Sequence, residues 1–190
     1  MQYEAIVIGV SSGGMNALKI IFAAMPAHFS IPMIIVQHVG AQSDGQWITL
    51  FNDKSQLEIK EADEKEKIKK GTIFIAPPNY HLLIEKDKTF SLTIDERVNY
   101  ARPSIDVLFE SAAEAYKNKL IGIVLTGANN DGAKGITRIQ ECGGLTIIQD
   151  PKTAESAYMP KAAIAAIEPN FIGSLDDIVT FLLKIEQQKR

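Results

Sequence analysis

Apolar residues in this chain fall in short unbroken runs bounded by turn residues, the pattern of strands buried on both faces of a sheet. Ala5–Gly9 is the first run, Met33–Val36 the second after Pro32, and Thr72–Ala76 the third, halted by Pro77-Pro78. Ile121–Leu125 is the most apolar, Leu145–Ile148 follows Gly143-Gly144, and Phe171-Ile172 makes a short last strand. His81–Glu85 and Thr89–Ile94 flank Lys86-Asp87-Lys88 and predict a hairpin. Between these runs apolar residues recur at helical spacing: Met15–Met25, the stretch from Trp47 to Phe51, Ser104–Tyr116, Gly132–Cys142, Ala162–Ile167 and Leu175–Ile185. Ser104, just after Pro103, has the side chain and position of an N-cap. Lys60–Lys70 is charged almost throughout with both signs mixed, which predicts a solvated helix end or loop. Strands alternating with helices predict an α/β fold of three layers, α/β/α, with a doubly wound, mostly parallel sheet and one local antiparallel hairpin.

Length and composition narrow the picture. The chain has 190 residues, 46% of them hydrophobic, enough for one domain spanning 1–190 without a metal or disulfide staple. No apolar run approaches the roughly 18–20 residues of a membrane span, so no membrane insertion is expected. The first residues lack the basic and apolar segments of a signal peptide. Cys142 has no internal partner, which fits a reducing compartment and predicts a cytoplasmic location. Twenty basic against 23 acidic residues give a net charge of −3, so no nucleic-acid partner is expected. The three histidines, His28, His38 and His81, share no metal-ligand spacing with one another or with Cys142. Neither a metal nor a cofactor is predicted.

In an open parallel sheet, ligands bind beyond the carboxyl ends of the strands. The polar residues that follow those ends are therefore the informative ones. Gly9-Val10-Ser11-Ser12-Gly13 follows the first strand, Gln37-His38 the second, and Thr126 to Gly132, with Asp131, the most apolar one. A serine, a histidine and an aspartate gathered on one sheet edge are the parts of a nucleophile, its general base and the carboxylate that orients it. The first loop also matches the G-x-S-x-G elbow, where small neighbours expose a serine beside free helix amides. Duller readings exist for each part: a glycine turn that only starts a helix, and an aspartate that only caps the helix it opens. Dinucleotide binding fits poorly, because Ser11 stands at the middle glycine position of G-x-G-x-x-G and the second strand ends in Gln37-His38 rather than an acid. The order Ser11, His38, Asp131 departs from the α/β-hydrolase, chymotrypsin and subtilisin orders.

That order, with several further blocks, resembles the catalytic domain of the CheB family of chemotaxis protein-glutamate methylesterases. The blocks are Ile8–Gly14, Gln37-His38, Ile75-Ala76-Pro77, Arg102-Pro103-Ser104-Ile105-Asp106, Leu125-Thr126-Gly127, Asn130-Asp131-Gly132-Ala133 and Met159-Pro160. The resemblance implies Ser11, His38 and Asp131 as a catalytic triad, with Ser12, Ala128 and Asn129 at the substrate and oxyanion amides near Ser12 and Ala128. It implies hydrolysis of glutamate γ-methyl esters with release of methanol, and also glutamine deamidation. The implied partner is a methylated chemoreceptor, met through its cytoplasmic helices. Two departures stand out. Ala128 and Asn129 occupy places where the family usually has methionine and glycine. The first strand begins by residue 5, without the family's receiver domain ahead of it, which leaves three readings: a constitutively open domain, control by a separate regulatory protein, or a sequence that is part of a longer chain. The alternative is a non-catalytic signalling or receptor-binding module on the same fold. The roles of His81, Arg102 and Asp106 stay open between substrate contact and support of the cleft.

Overall fold

The computed structural model describes residues 3–38 and 46–188. Its strands are β1 (Ala5–Val10), β2 (Met33–Gln37), β3 (Glu58–Glu61), β4 (Thr72–Ile75), β5 (His81–Ile84), β6 (Phe90–Thr93), β7 (Leu120–Val124), β8 (Leu145–Gln149) and β9 (Phe171–Gly173). Its helices are α1 (Gly14–Ala24), α2 (Gln46–Asn52), α3 (Ile105–Tyr116), α4 (Ala133–Glu141), α5 (Tyr158–Ala166) and α6 (Leu175–Gln187). Seven strands form one parallel sheet in the order β3-β4-β2-β1-β7-β8-β9, while β5 and β6 pair antiparallel as the predicted hairpin. None of the described helices is long and apolar enough to cross a membrane.

Unbroken apolar strands follow from helices on both faces. Along β1, Ala5 and Val7 point into a core built with α3, α4, α5 and the hairpin. Ile6, Ile8 and Val10 point into the opposite core with α1, α2 and α6. Alternate residues therefore serve different layers, and no position on β1 can be polar without facing one core or the other. From β1 the chain steps sideways to β2, and from β7 it steps the other way to β8, so the order switches between β1 and β7. A crevice opens there, beyond the carboxyl ends. Gly9 lets α3 reach it: a Cβ at Gly9 would lie 2.3 Å from Ile105 Cγ2, at the first turn of α3.

Two elements differ from expectation. β3 falls partly within the charged stretch read as a helix end or loop; it is an edge strand in which only Ile59 is fully buried. Charges on such an edge deter pairing with other chains and hide the strand pattern. α5 begins at Tyr158, ahead of the predicted Ala162, because Pro160 lies in the first turn, where a missing N–H leaves no bond unmade.

Candidate active site

Ser11 leaves β1 in a loop whose backbone is held on three sides. Its N–H donates to Thr126 O (3.0 Å), and its carbonyl accepts from Gly14 N (2.8 Å) and Gln37 Nε2 (3.2 Å). Gly13 then turns the chain into α1 at φ +79°, a left-handed conformation that a side chain would strain. Gln37, buried at the end of β2, also donates to His38 O (2.9 Å), and His38 N donates to Val10 O (3.1 Å). One amide side chain thus clamps the nucleophile loop to the histidine.

The imidazole of His38 has both nitrogens occupied. Nε2 lies 2.9 Å from Asp131 Oδ2, and Nδ1 lies 3.2 Å from Asn129 Nδ2. Since a carboxylate only accepts, the proton on that side belongs to Nε2, and Nδ1 carries the lone pair. Ser11, His38 and Asn129 share the wall of a cleft of about 460 Å³ with Asn79, Arg97, Asn99, Tyr100 and the Arg102-Pro103 segment.

Asp131 sits behind His38 with no exposed surface. Its Oδ2 also accepts from Ile105 N (2.7 Å), and its Oδ1 accepts from Ser104 Oγ (2.9 Å), Asp106 N (3.1 Å) and Asn99 Nδ2 (3.2 Å). The carboxylate therefore covers the amino end of α3, not of α4, the helix that it precedes. The N-cap of α4 is Gly132 at φ +97°, without a side-chain cap. α4 is served in return by Asp106 of α3, whose Oδ1 accepts from Gly132 N (2.9 Å) and Gly135 N (2.7 Å). The two helices exchange carboxylates across the crevice, and Asn99 Nδ2 bridges them, donating to Asp106 Oδ2 (2.9 Å) as well as to Asp131.

The three residues left open by the sequence have structural partners. His81 is buried; its Nδ1 accepts from Ser104 N (3.2 Å) and its Nε2 donates to Glu96 O (3.0 Å). Arg102 donates through Nη1 to Ile94 O (2.7 Å) and Asp95 O (3.0 Å), while also lining the cleft. Asp106 supports α4 as described. Ser12 and Ala128 are exposed, and among the described residues their backbone N–H groups make no hydrogen bond. Asn129, which the resemblance placed at the substrate, lies on the wall but spends its amide on His38. Its Oδ1 accepts from Asp131 N (3.0 Å), an Asx turn, and its φ is not positive.

Gln37 and Asn99 were not assigned roles by the sequence. Gln37 could have been suspected from its place beside His38 at a strand end; Asn99 sits in a polar loop with nothing to single it out. It forms, with Tyr100, the tip of a tight turn between Val98 and Ala101, with φ of +50° and +64°. Both central residues at positive φ mark a type I′ turn, which Asn tolerates and Tyr does not favour. Tyr100 is 96% exposed at the cleft mouth despite that cost.

Electrostatics pull the paired acids apart. Burial would raise the carboxyl of Asp131, but His38 and the N–H groups of Ile105 and Asp106 outweigh it and hold it below the ordinary aspartate range. Burial raises Asp106, and the negative charge of Asp131 adds to the rise, against the N–H donors of Gly135, Asn99 and Gly132. The two contributions to stability have opposite signs. That of Asp131 is present above the unfolded value and is lost as pH falls through its depressed folded value. Asp106, raised in the folded state, takes a proton there while the unfolded chain is still ionised, so acidification towards about 4 favours folding through this group. Urea unfolding of wild type and Asp106→Asn at stepped pH should show the difference in stability moving towards wild type between neutrality and about pH 4. Parallel curves would show that Asp106 is not raised.

Known proteins share this arrangement of chain and fold. A family model described as CheB methylesterase matches residues 6–182. A Leptospira interrogans protein is 57% identical over 187 residues, covering 98% of this chain and 97% of its own length. The protein-glutamate methylesterase/protein-glutamine glutaminase of Clostridium acetobutylicum is 33% identical over 96% of this chain, which spans 53% of that longer protein. Among solved structures, the Thermotoga maritima CheB methylesterase catalytic domain superposes with a TM-score of 0.92 at 31% identity, covering 97% of this chain and all of that one.

Proposed function

The chain belongs to the CheB methylesterase family, and from that premise we propose that Ser11, His38 and Asp131 form the catalytic triad of a protein-glutamate methylesterase working in the cytoplasm on methylated chemoreceptors. The observation that carries this reading is the buried Asp131 paired with His38, whose ring shares the wall of one cleft with Ser11.

The Ser11 hydroxyl attacks the γ-methyl ester carbonyl and passes its proton to His38 Nδ1. Asp131 holds Nε2–H and stabilises the imidazolium that forms. The N–H groups of Ser12 and Ala128, without hydrogen-bond partners among the described residues, are the donors for the oxyanion. The tetrahedral intermediate collapses to a Ser11 ester; methoxide takes the proton from His38 and leaves as methanol. Water, deprotonated by the same nitrogen, then splits the acyl-enzyme to glutamate and free Ser11. With a glutamine side chain the leaving group is ammonia, and the later steps are identical. Exposed Tyr100 and Arg97 at the mouth suit a protein surface carrying acidic side chains rather than a small ester that would have to be enclosed. The same 1–190 chain serves as a single catalytic domain in this reading.

The test is methanol release from a methylated chemoreceptor cytoplasmic fragment, with labelling of Ser11 by a fluorophosphonate followed by peptide mapping. Release together with labelling at Ser11 is expected. Receptor binding without release or labelling would establish the non-catalytic module instead.

A further inference from the structure

Asn129 stands where proton transfer has to happen. Its amide orientation is fixed from the other side: Oδ1 accepts from Asp131 N (3.0 Å), so the group turned to His38 Nδ1 at 3.2 Å is the NH₂ donor. A donor there requires the Nδ1 lone pair, the very electrons that receive the Ser11 proton. The same contact is not needed to choose the tautomer. Asp131, an acceptor at 2.9 Å from Nε2, already places the ring proton on that nitrogen. What Asn129 adds is occupation of the base.

We infer that Asn129 is a positioning residue that latches the general base: it holds His38 Nδ1 in a hydrogen bond that must open before Ser11 can deliver its proton. The inference rests on the triad reading above. The latch belongs to the Asx turn that leads into Asp131, in the loop between β7 and α4. Once released, the Nδ2 donor faces a cleft in which an incoming ester or amide carbonyl is the nearest new acceptor. Opening is then favoured by the occupied site over the empty one, which limits acylation by stray reagents.

Two variants separate the latch from the turn. Asn129→Gly removes both contacts. Asn129→Ser keeps a side-chain oxygen that can accept from Asp131 N, as serine does in the equivalent turn, but is too short to reach His38. A small fluorophosphonate reports on Ser11 without needing receptor contacts. Its labelling rate should rise roughly tenfold in Asn129→Ser, the equivalent of about 1.4 kcal/mol and close to the net worth of one hydrogen bond. Nitrogen-15 spectra of labelled histidine give a signature that a merely structural role would not move: the His38 Nδ1 resonance should shift towards an unbonded acceptor in Asn129→Ser while the Nε2 resonance stays put. An unchanged or slower labelling rate in Asn129→Ser, or an unmoved Nδ1 resonance, overturns the latch. Failure of wild type to label at Ser11 at all overturns the triad reading instead, and the two failures are told apart by that control.

Discussion

Asp131→Asn is expected to reduce methanol release by roughly four orders of magnitude and to destabilise the fold by about 3 kcal/mol as well. In the serine-protease template this acid can become asparagine with the geometry intact and the rate down about 10⁴-fold. Here both oxygens receive only donors: His38 and Ile105 on Oδ2, and Ser104, Asp106 and Asn99 on Oδ1. Either orientation of an asparagine points its NH₂ group at N–H or O–H donors in a site without solvent exposure. With Nδ2 in the place of Oδ2, the ring of His38 must present a lone pair from Nε2, and Nδ1 loses its role as base. With Nδ2 in the place of Oδ1, the amino end of α3 is left facing a donor. Each buried donor without its acceptor costs about 1–3 kcal/mol. Thermal unfolding should therefore fall by about 6–12 °C for a chain of this size. Full stability with lost turnover would show that the α3 contacts are incidental to the fold.

This dual use of one carboxylate marks the limit of what the sequence conveys. Continuous apolar strands reported the two-sided sheet, since each alternate residue of β1 has a core to meet. The strand-end rule then gathered Ser11, His38 and Asp131 without knowledge of any contact. What stayed hidden are partnerships between segments far apart in the chain. Asp131 reads locally as a cap for α4, yet it covers α3; Asp106, open in the sequence between substrate contact and support of the cleft, covers α4. Periodicity records which face of an element is apolar, and it carries no record of which helix end a polar side chain will reach. Asn99 was invisible for the same reason, because its bridging role exists only once both carboxylates are in place. Asn129 was placed at the substrate by resemblance, but its contact with His38 depends on the Asx turn and hence on the orientation of one amide.

The exchange of carboxylates also ties the site to the stability of its own scaffold. Asp131 cannot be moved to retune His38 without uncapping α3, and Asp106 cannot be neutralised without altering the field at Asp131. Catalytic preorganisation rests on such fixed dipoles and charges, which need no rearrangement during the reaction.

Ser11→Ala is the opposite case, in which chemistry is lost and structure is not. Among the described residues, every hydrogen bond that places Ser11 runs through its backbone, to Thr126 O, Gly14 N and Gln37 Nε2, and none of them needs the hydroxyl. Alanine fits the same loop, with the left-handed step carried by Gly13. Stability should stay within about 0.5 kcal/mol of wild type, and unfolding within about 2 °C. Turnover should fall by roughly six orders of magnitude, the loss seen when the nucleophile is removed from a triad, since the residual oxyanion donors act only on attack by water. Single-turnover methanol release and thermal melts on the two variants therefore give contrasting pairs, with loss of activity alone for Ser11→Ala and loss of both for Asp131→Asn. Appreciable activity in Ser11→Ala would remove Ser11 as the nucleophile, whatever happens at Asp131.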